Sequence, residues 1–213
     1  MKQFEHIELR EKVLKRIRNA LINKTELNAE QQNVEVSAFK PMQQAIPFEF
    51  AQNFTLAGGF FYYSENRQEL KLAINTLLQE KNMLSVYCSN DELSGLINSG
   101  VIAIMSDLND VTATPVVITE CEYLCARTGS ILLSSFLSCG RRGIATNDAL
   151  IIVASIDQIV PDIQDAIQAI TTKYTEEFPS QLTFVTGPSR TADIEKKIVL
   201  GAHGSREVYV FMY

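Results

Sequence analysis

The 213 residues contain no apolar run near the roughly 18 that a membrane-spanning helix needs, so no membrane span is expected. Histidine is scarce: His6 and His203 are the only two, too few for a histidine-rich metal site. Of the four cysteines, Cys121 and Cys125 form a C-x3-C pair, while Cys88 and Cys139 stand apart. On a helix that pair would share a face and offer two ligands, but structural zinc and iron–sulfur sites use four, often in C-x2-C pairs. The sequence therefore predicts no metal site and no cofactor, and the thiols read as reduced, small core residues. No base stands near them to activate a cysteine nucleophile. Basic residues are outnumbered, 19 Lys and Arg against 25 Asp and Glu, for a net charge of −6. The one basic cluster, Lys12, Lys15, Arg16 and Arg18, follows glutamates and reads as a solvated helix face, so no nucleic-acid partner is expected. Repeats, low-complexity tracts and the G-x4-G-K-[ST] phosphate loop are absent. The start, MKQFEHIELREK, lacks the apolar core of a signal peptide, which points to the cytoplasm.

What is present is ordinary globular composition, 46% hydrophobic and 21% charged. Glu5 to Ile22 carries Val13, Leu14, Ile17 and Leu21 on one face of an amphipathic helix. Asn23 to Pro47 is polar and reads as a linker. This divides the chain into residues 1–47, a helix and linker, and residues 48–213, a folded domain. Within the domain, helices are predicted at Phe48–Leu56, Glu65–Lys81, from Asp91 as cap, at Glu120–Thr128, Val160–Glu177 and Thr191–Leu200. Strands are predicted at Phe60–Ser64, Leu84–Cys88, Val101–Met105, Val116–Thr119, Ile131–Ser134, Leu150–Ala154, Leu182–Thr186 and Glu207–Met212. The run LIIVA at 150–154 suits a strand buried on both faces. Strands alternating with helices predict an α/β protein, a three-layer α/β/α arrangement around a largely parallel sheet. Ligands of such sheets bind beyond the carboxyl ends of the strands, so the turns that follow strands are the places to search.

Three turns stand out. In Gly187-Pro188-Ser189-Arg190-Thr191, glycine allows a sharp strand exit, and Ser189 or Thr191 can cap the following helix. A helix start there would favour an anion, with Arg190 as a bidentate partner; the same residues can equally serve only as caps and a surface charge. In Ala126-Arg127-Thr128-Gly129-Ser130, the hydroxyls of Thr128 and Ser130 can meet a ligand or satisfy a helix end. His203, before Gly204, can exchange a proton near neutral pH or simply hydrogen-bond the backbone. Glu120 and Glu122 are further candidates for acid–base work, or else occupy the solvent side of a helix.

The run GPSRTADIEKKIVLGAHGSREVYVF, from Gly187 to Phe211, closely resembles the C-terminal signature of the lactate-utilisation protein C family, the LUD domain. There the usual form is Gly-Pro-Ser-Arg-Thr-Ala-Asp-Ile-Glu, a helix ending in Leu-Gly-x-His-Gly-Pro, then an apolar strand. Glu11–Leu21, Leu56–Gly59, Cys121–Ser130 and Ile151–Pro161 resemble other family segments. Two departures are Arg127, where the family commonly has Glu, and Ser205, where it has Pro. The resemblance implies a fold similar to the ribose-phosphate isomerase and coenzyme A transferase group. It implies a part in oxidising L-lactate, or a related hydroxy acid, to pyruvate beside an iron–sulfur protein partner. Combined with the three turns, it suggests a site for a small anionic metabolite, with Thr128, Gly129, Ser130, Gly187, Ser189, Arg190, Thr191 and Gly204 as ligand-binding residues and His203 as the catalytic one. The alternative on the same fold is a stand-alone enzyme or binding protein for a phosphosugar or acyl-coenzyme A, which would need Glu120 or Glu122 as its carboxylate.

Overall fold

The computed structural model describes residues 42, 44–191, 199–201 and 204–213. The helix expected at Glu5–Ile22, the 192–198 part of the one expected at Thr191–Leu200, and His203 lie outside the described residues. Helix α1 (Ile46–Leu56) begins two residues before the expected start, with Pro47 in its first turn, where a missing N–H breaks no helical bond. It turns Phe50 and Phe54 inward, their rings stacked 5.5 Å apart. Strand β1 (Phe60–Tyr63) leads to α2 (Arg67–Glu80), whose cap Asn66 accepts hydrogen bonds from the amides of Gln68 and Glu69. The 3.6-residue spacing of Leu70, Ile74, Leu77 and Leu78 places all four in the core, as expected.

Next come β2 (Ser85–Tyr87), α3 (Asp91–Ser94), β3 (Ala103–Met105), β4 (Val116–Thr119), β5 (Tyr123–Cys125) and β6 (Ser130–Ser134). They are followed by α4 (Gly140–Ala145), β7 (Ala149–Ala154), β8 (Ile159–Val160), α5 (Ile163–Lys173), β9 (Leu182–Val185), β10 (Arg190–Thr191), β11 (Val199–Leu200) and β12 (Glu207–Met212).

The large sheet runs β1-β12-β7-β4-β2-β3, and every pairing in it is parallel. The chain is thus the α/β protein with a large parallel sheet that the alternation predicts. All six residues of β7 are buried, because both faces of the sheet are covered. On one face Ile151, Val153, Tyr209 and Phe211 pack with α2 and α3. On the other, Leu150, Ile152, Val208 and Val210 pack with Phe50 and Phe54 of α1 and with a second sheet. That sheet runs β8-β5-β6-β9, mixed in direction, and contributes Leu124, Ile131 and Leu133 to the shared core. Behind it, α5 lays Ala166 and Ile170 on Cys125 and Leu132.

Four local expectations are corrected. Glu120–Thr128 is not a helix: Tyr123–Cys125 is β5, joined to β6 by a turn whose Gly129 has φ +62°. A positive-φ glycine suits a helix stop and a hairpin turn equally, and pairing to both β6 and β8 decides between them. Thr191–Leu200 is not helical at its described ends, since Arg190–Thr191 pairs antiparallel with Val199–Leu200. The cap of α3 is Asn90, which accepts from the Leu93 amide, rather than Asp91. In the helix expected from Val160, Val160 itself lies in β8, and of Ile163, Ile167 and Ile170, which the spacing turns inward, Ile167 is 39% exposed while Ala166 is buried.

Candidate functional site

The two polar turns meet at the end of α1. Ser130 and Thr186 share a hydrogen bond of 2.6 Å. Asn53 of α1 donates to the carbonyls of Ala126 (3.0 Å) and Arg127 (3.1 Å), fixing the β5–β6 turn. Gly129 lies so close to α1 that a Cβ on it would stand 2.3 Å from the Phe54 amide nitrogen. Gly187, at φ +80°, lies against the Ala57 carbonyl, 2.7 Å from where its Cβ would be. Both glycines are therefore required by close backbone approach as well as by their dihedral angles. Arg190 donates from Nη2 to the Ala57 carbonyl at 2.9 Å, satisfying an acceptor that the end of α1 leaves open.

Beyond this junction the expected residues separate. Gly187, Ser189 and Gly204 line one cleft of about 400 Å³ between the two sheets, beside the amino ends of β7 and β12. Leu150, Val208 and Phe184 form its apolar part, and Thr186 and Ser205 add hydroxyls. Arg190 instead lines a neighbouring cleft of about 530 Å³ with Phe60, Asp148 and Arg206. Thr128, Gly129 and Ser130 line neither of these two clefts and reach the first only through the Ser130–Thr186 bond. Thr191 belongs to β10. The Ser189 amide donates to the Ser205 carbonyl (2.8 Å) and the Ser189 carbonyl accepts from the Gly201 amide (3.0 Å), so this turn's backbone is spent on its neighbours. An anion cradle of free helix-start amides is not what the described residues form here.

Ser205 is the residue the sequence reading passed over as a mere replacement for proline. It is 4% exposed and lines the cleft, and its buried Oγ has no hydrogen-bond partner among the described residues. A buried hydroxyl without a partner costs about 1–3 kcal/mol. The only signal in sequence is a polar residue just before an apolar strand, which is too common to single it out. Thr128 Oγ1 is likewise buried without a partner among the described residues.

The two glutamates part company. Glu120, at the carboxyl end of β4, accepts from the Ser138 amide (2.8 Å), Ser138 Oγ (2.7 Å) and Asn90 Nδ2 (3.4 Å). Ser138 in turn accepts, at its carbonyl, from Ser89 Oγ (2.8 Å) and the Tyr87 hydroxyl (3.2 Å). Glu120 thus pins the loop after β6 to the ends of β2 and β4. Glu122 is buried, against the solvent-side reading: its carboxylate accepts from Ser134 Oγ (2.5 Å), Lys173 Nζ (2.7 Å) and the Tyr174 hydroxyl (2.9 Å). It ties α5 to the small sheet. Arg127 pairs with Asp162, the cap of α5, at 2.6 Å.

All four thiols are buried, and burial pushes their pKa values up, to about 11 for Cys88 and Cys139 and about 12 for Cys125, with Cys121 raised as well. Cys121 packs in the core between the sheets and Cys125 in the one under α5, so they do not face a common ligand. Among the described residues no three His, Cys, Asp or Glu side chains converge in a way that could hold a metal ion, and no helix is long and apolar enough to cross a membrane.

Residues 103–213, from β3 to the last strand, match the family model of the LUD domain. The chain belongs to the LUD domain family. This LUD domain is 35% identical over 97 residues to the lactate utilization protein C of Deinococcus radiodurans, a match covering 45% of each chain. It is 27% identical over 164 residues to lactate utilization protein C 1 of Bacillus mycoides, covering 68% of this chain and 70% of that one. With the lactate utilization protein C of Bacillus subtilis it shares 33% identity over 89 residues, 41% of this chain and 37% of the relative. The matched part thus spans less than half the length of the first and third of these relatives. The crystal structure of a DUF162 family protein from Deinococcus radiodurans superposes with a TM-score of 0.60 at 21% identity, covering 78% of this chain and 95% of that one, which establishes a shared fold. The LUD match includes Gly187, Ser189, Gly204 and Ser205 and leaves out α1, whose carbonyl end the signature glycine packs against.

Proposed function

We propose that this LUD domain takes part in the utilisation of L-lactate or a related 2-hydroxy acid, and that the cleft between its sheets binds the carboxylate-bearing metabolite. The metabolic assignment is supported by relatives that carry the name lactate utilization protein C. The single structural observation that carries the cleft is Ser205 Oγ, buried beside Gly187, Ser189 and Gly204 with no hydrogen-bond partner among the described residues. A ligand carboxylate there would accept from the Ser205 hydroxyl, and from that of Ser189, which lies against Gly204. Leu150, Val208 and Phe184 would take the ligand's apolar end and exclude water. In this reading His203, next to Gly204 in sequence, supplies the positive charge or exchanges the hydroxyl proton. Oxidation of a 2-hydroxy acid to a 2-oxo acid releases two protons and two electrons, and the electrons pass to an iron–sulfur protein partner.

The test is a thermal-shift series on the full chain with L-lactate, pyruvate and glycolate, set against a phosphosugar and coenzyme A. A ligand at about 100 times its Kd adds about 2.7 kcal/mol. For a chain of this size that is a rise of roughly 5–10 °C, expected for the hydroxy or oxo acids and lost in Ser205→Ala. Equal shifts for coenzyme A or the phosphosugar alone would replace the substrate class. No shift with any of the five, together with unimpaired growth on L-lactate of a strain lacking the protein, would overturn the reading.

A further inference from the structure

A third cleft, of about 460 Å³, shares no lining residue with the first, although both touch α4, and carries the opposite balance of charge to the chain as a whole. Its wall includes Arg141 and Arg142 at the start of α4, the hydroxyls of Ser135 and Ser180, and the apolar side chains of Leu108 and Phe136. Among the described residues no carboxylate lines it. Arg141 donates to Ser180 Oγ, while the Arg142 guanidinium has no ion pair or hydrogen-bond partner among the described residues. In a chain of net charge −6, two adjacent arginines facing one cleft without an acid are not explained by general surface pairing.

The location supports a ligand as well. Leu108 follows the carboxyl end of β3, and the loop from Ser135 to Cys139 is held over the carboxyl ends of β2 and β4 through Ser138 and Glu120. Ligands of parallel sheets bind on that side. The anchoring is dense: the amide, hydroxyl and carbonyl of Ser138 are all engaged, so the segment leading into Gly140-Arg141-Arg142 is set before any ligand arrives. Preorganised guanidinium groups lose less freedom on binding and hold oxyanions in bidentate fashion. The cleft is the size of a small-molecule site.

We infer that the Arg141–Arg142 cleft binds a small organic dianion, a phosphate monoester or a dicarboxylate, whose apolar part rests on Leu108 and Phe136. Two guanidinium groups match two negative charges, which a lactate-like monoanion cannot offer. This site shares no lining residue with the Ser205 cleft, so each is tested by its own variants.

The test is isothermal titration of the full chain at low salt with phenyl phosphate, inorganic phosphate, succinate and L-lactate. Saturable binding of phenyl phosphate or succinate is expected, tighter than inorganic phosphate and, in the Ser205→Ala background that removes the first cleft's ligand, well above L-lactate. Arg142→Gln should weaken it by about tenfold or more, the loss of one charge-assisted bond. Both arginines are exposed, so the variant is expected to melt as the parent does. Ser205→Ala should leave this binding unchanged, which separates it from the first cleft. Tighter binding of phenyl phosphate than succinate assigns the phosphate class, and the reverse order assigns the dicarboxylate. The inference is overturned if neither dianion binds at millimolar concentration, if L-lactate binds Ser205→Ala as well as they do, or if Arg141→Gln and Arg142→Gln both leave binding intact.

Discussion

Replacing Lys173 by Met should destabilise the domain by about 1.5–3 kcal/mol, through the carboxylate of Glu122 that it leaves behind. The Glu122 side chain is 0% exposed and holds three charged or hydroxyl donors, Lys173, Ser134 and Tyr174. Breaking a fully buried ion pair costs about 3–5 kcal/mol. Lys173 is 49% exposed at its side chain, so water replaces part of what is lost, and the two hydroxyls remain, which brings the cost down to that of one charge-assisted hydrogen bond. Glu122→Gln should cost about as much, because a neutral amide removes the charge that Lys173 pairs with and leaves one acceptor oxygen where the carboxylate had two. In melting temperature the loss is roughly 3–12 °C for a chain of this length.

The assay is urea unfolding at neutral and alkaline pH. The Lys173 pKa is raised from 10.5: burial, the largest influence, lowers it, but the hydrogen bond and charge of Glu122 outweigh burial. The Tyr174 pKa is raised from 10.0, by burial first and then by Glu122. A raised folded pKa means the contribution is whole below the unfolded value and is lost as pH rises through the folded one. Stability should therefore decline above about pH 10, and Lys173→Met with Tyr174→Phe should flatten that decline. If Lys173→Met and Glu122→Gln both unfold at the parent midpoint, the interpretation of Glu122 as a structural anchor fails. If Glu122→Gln keeps full stability yet abolishes growth on L-lactate, Glu122 belongs to the chemistry instead.

Gly187→Ala should cost about 2–4 kcal/mol, since left-handed backbone adds roughly 1–2 kcal/mol and the new Cβ meets the Ala57 carbonyl; differential scanning calorimetry would read it, and an unchanged melt would mean that α1 shifts freely. The four thiols should resist alkylation in the folded protein at pH 8 and all react in urea, because burial holds their pKa values up. Counting labelled cysteines by mass spectrometry checks this, and one fast-reacting thiol would contradict it.

The apolar periodicities were enough to place the frame. The spacing of Leu70, Ile74, Leu77 and Leu78 marked α2, and the unbroken LIIVA run marked a strand buried on both faces, because each pattern is local to one element. The signature from Gly187 onward drew attention to one turn, and the structure joins it to the Thr128–Ser130 turn through the Ser130–Thr186 bond. The sequence could not separate a helix from a hairpin at Glu120–Gly129, because a positive-φ glycine ends both and only β6 and β8, supplied from elsewhere in the chain, make the difference. Nor could it say that Glu122 is buried, that Arg190 serves the end of α1, or that Ser205 lines a cleft with no hydrogen-bond partner among the described residues. Those facts depend on which groups from distant segments arrive beside a polar atom. Composition and spacing determine that a residue can hydrogen-bond; tertiary packing alone decides whether anything in the protein is left for it to bond, or whether the bond is kept for a ligand.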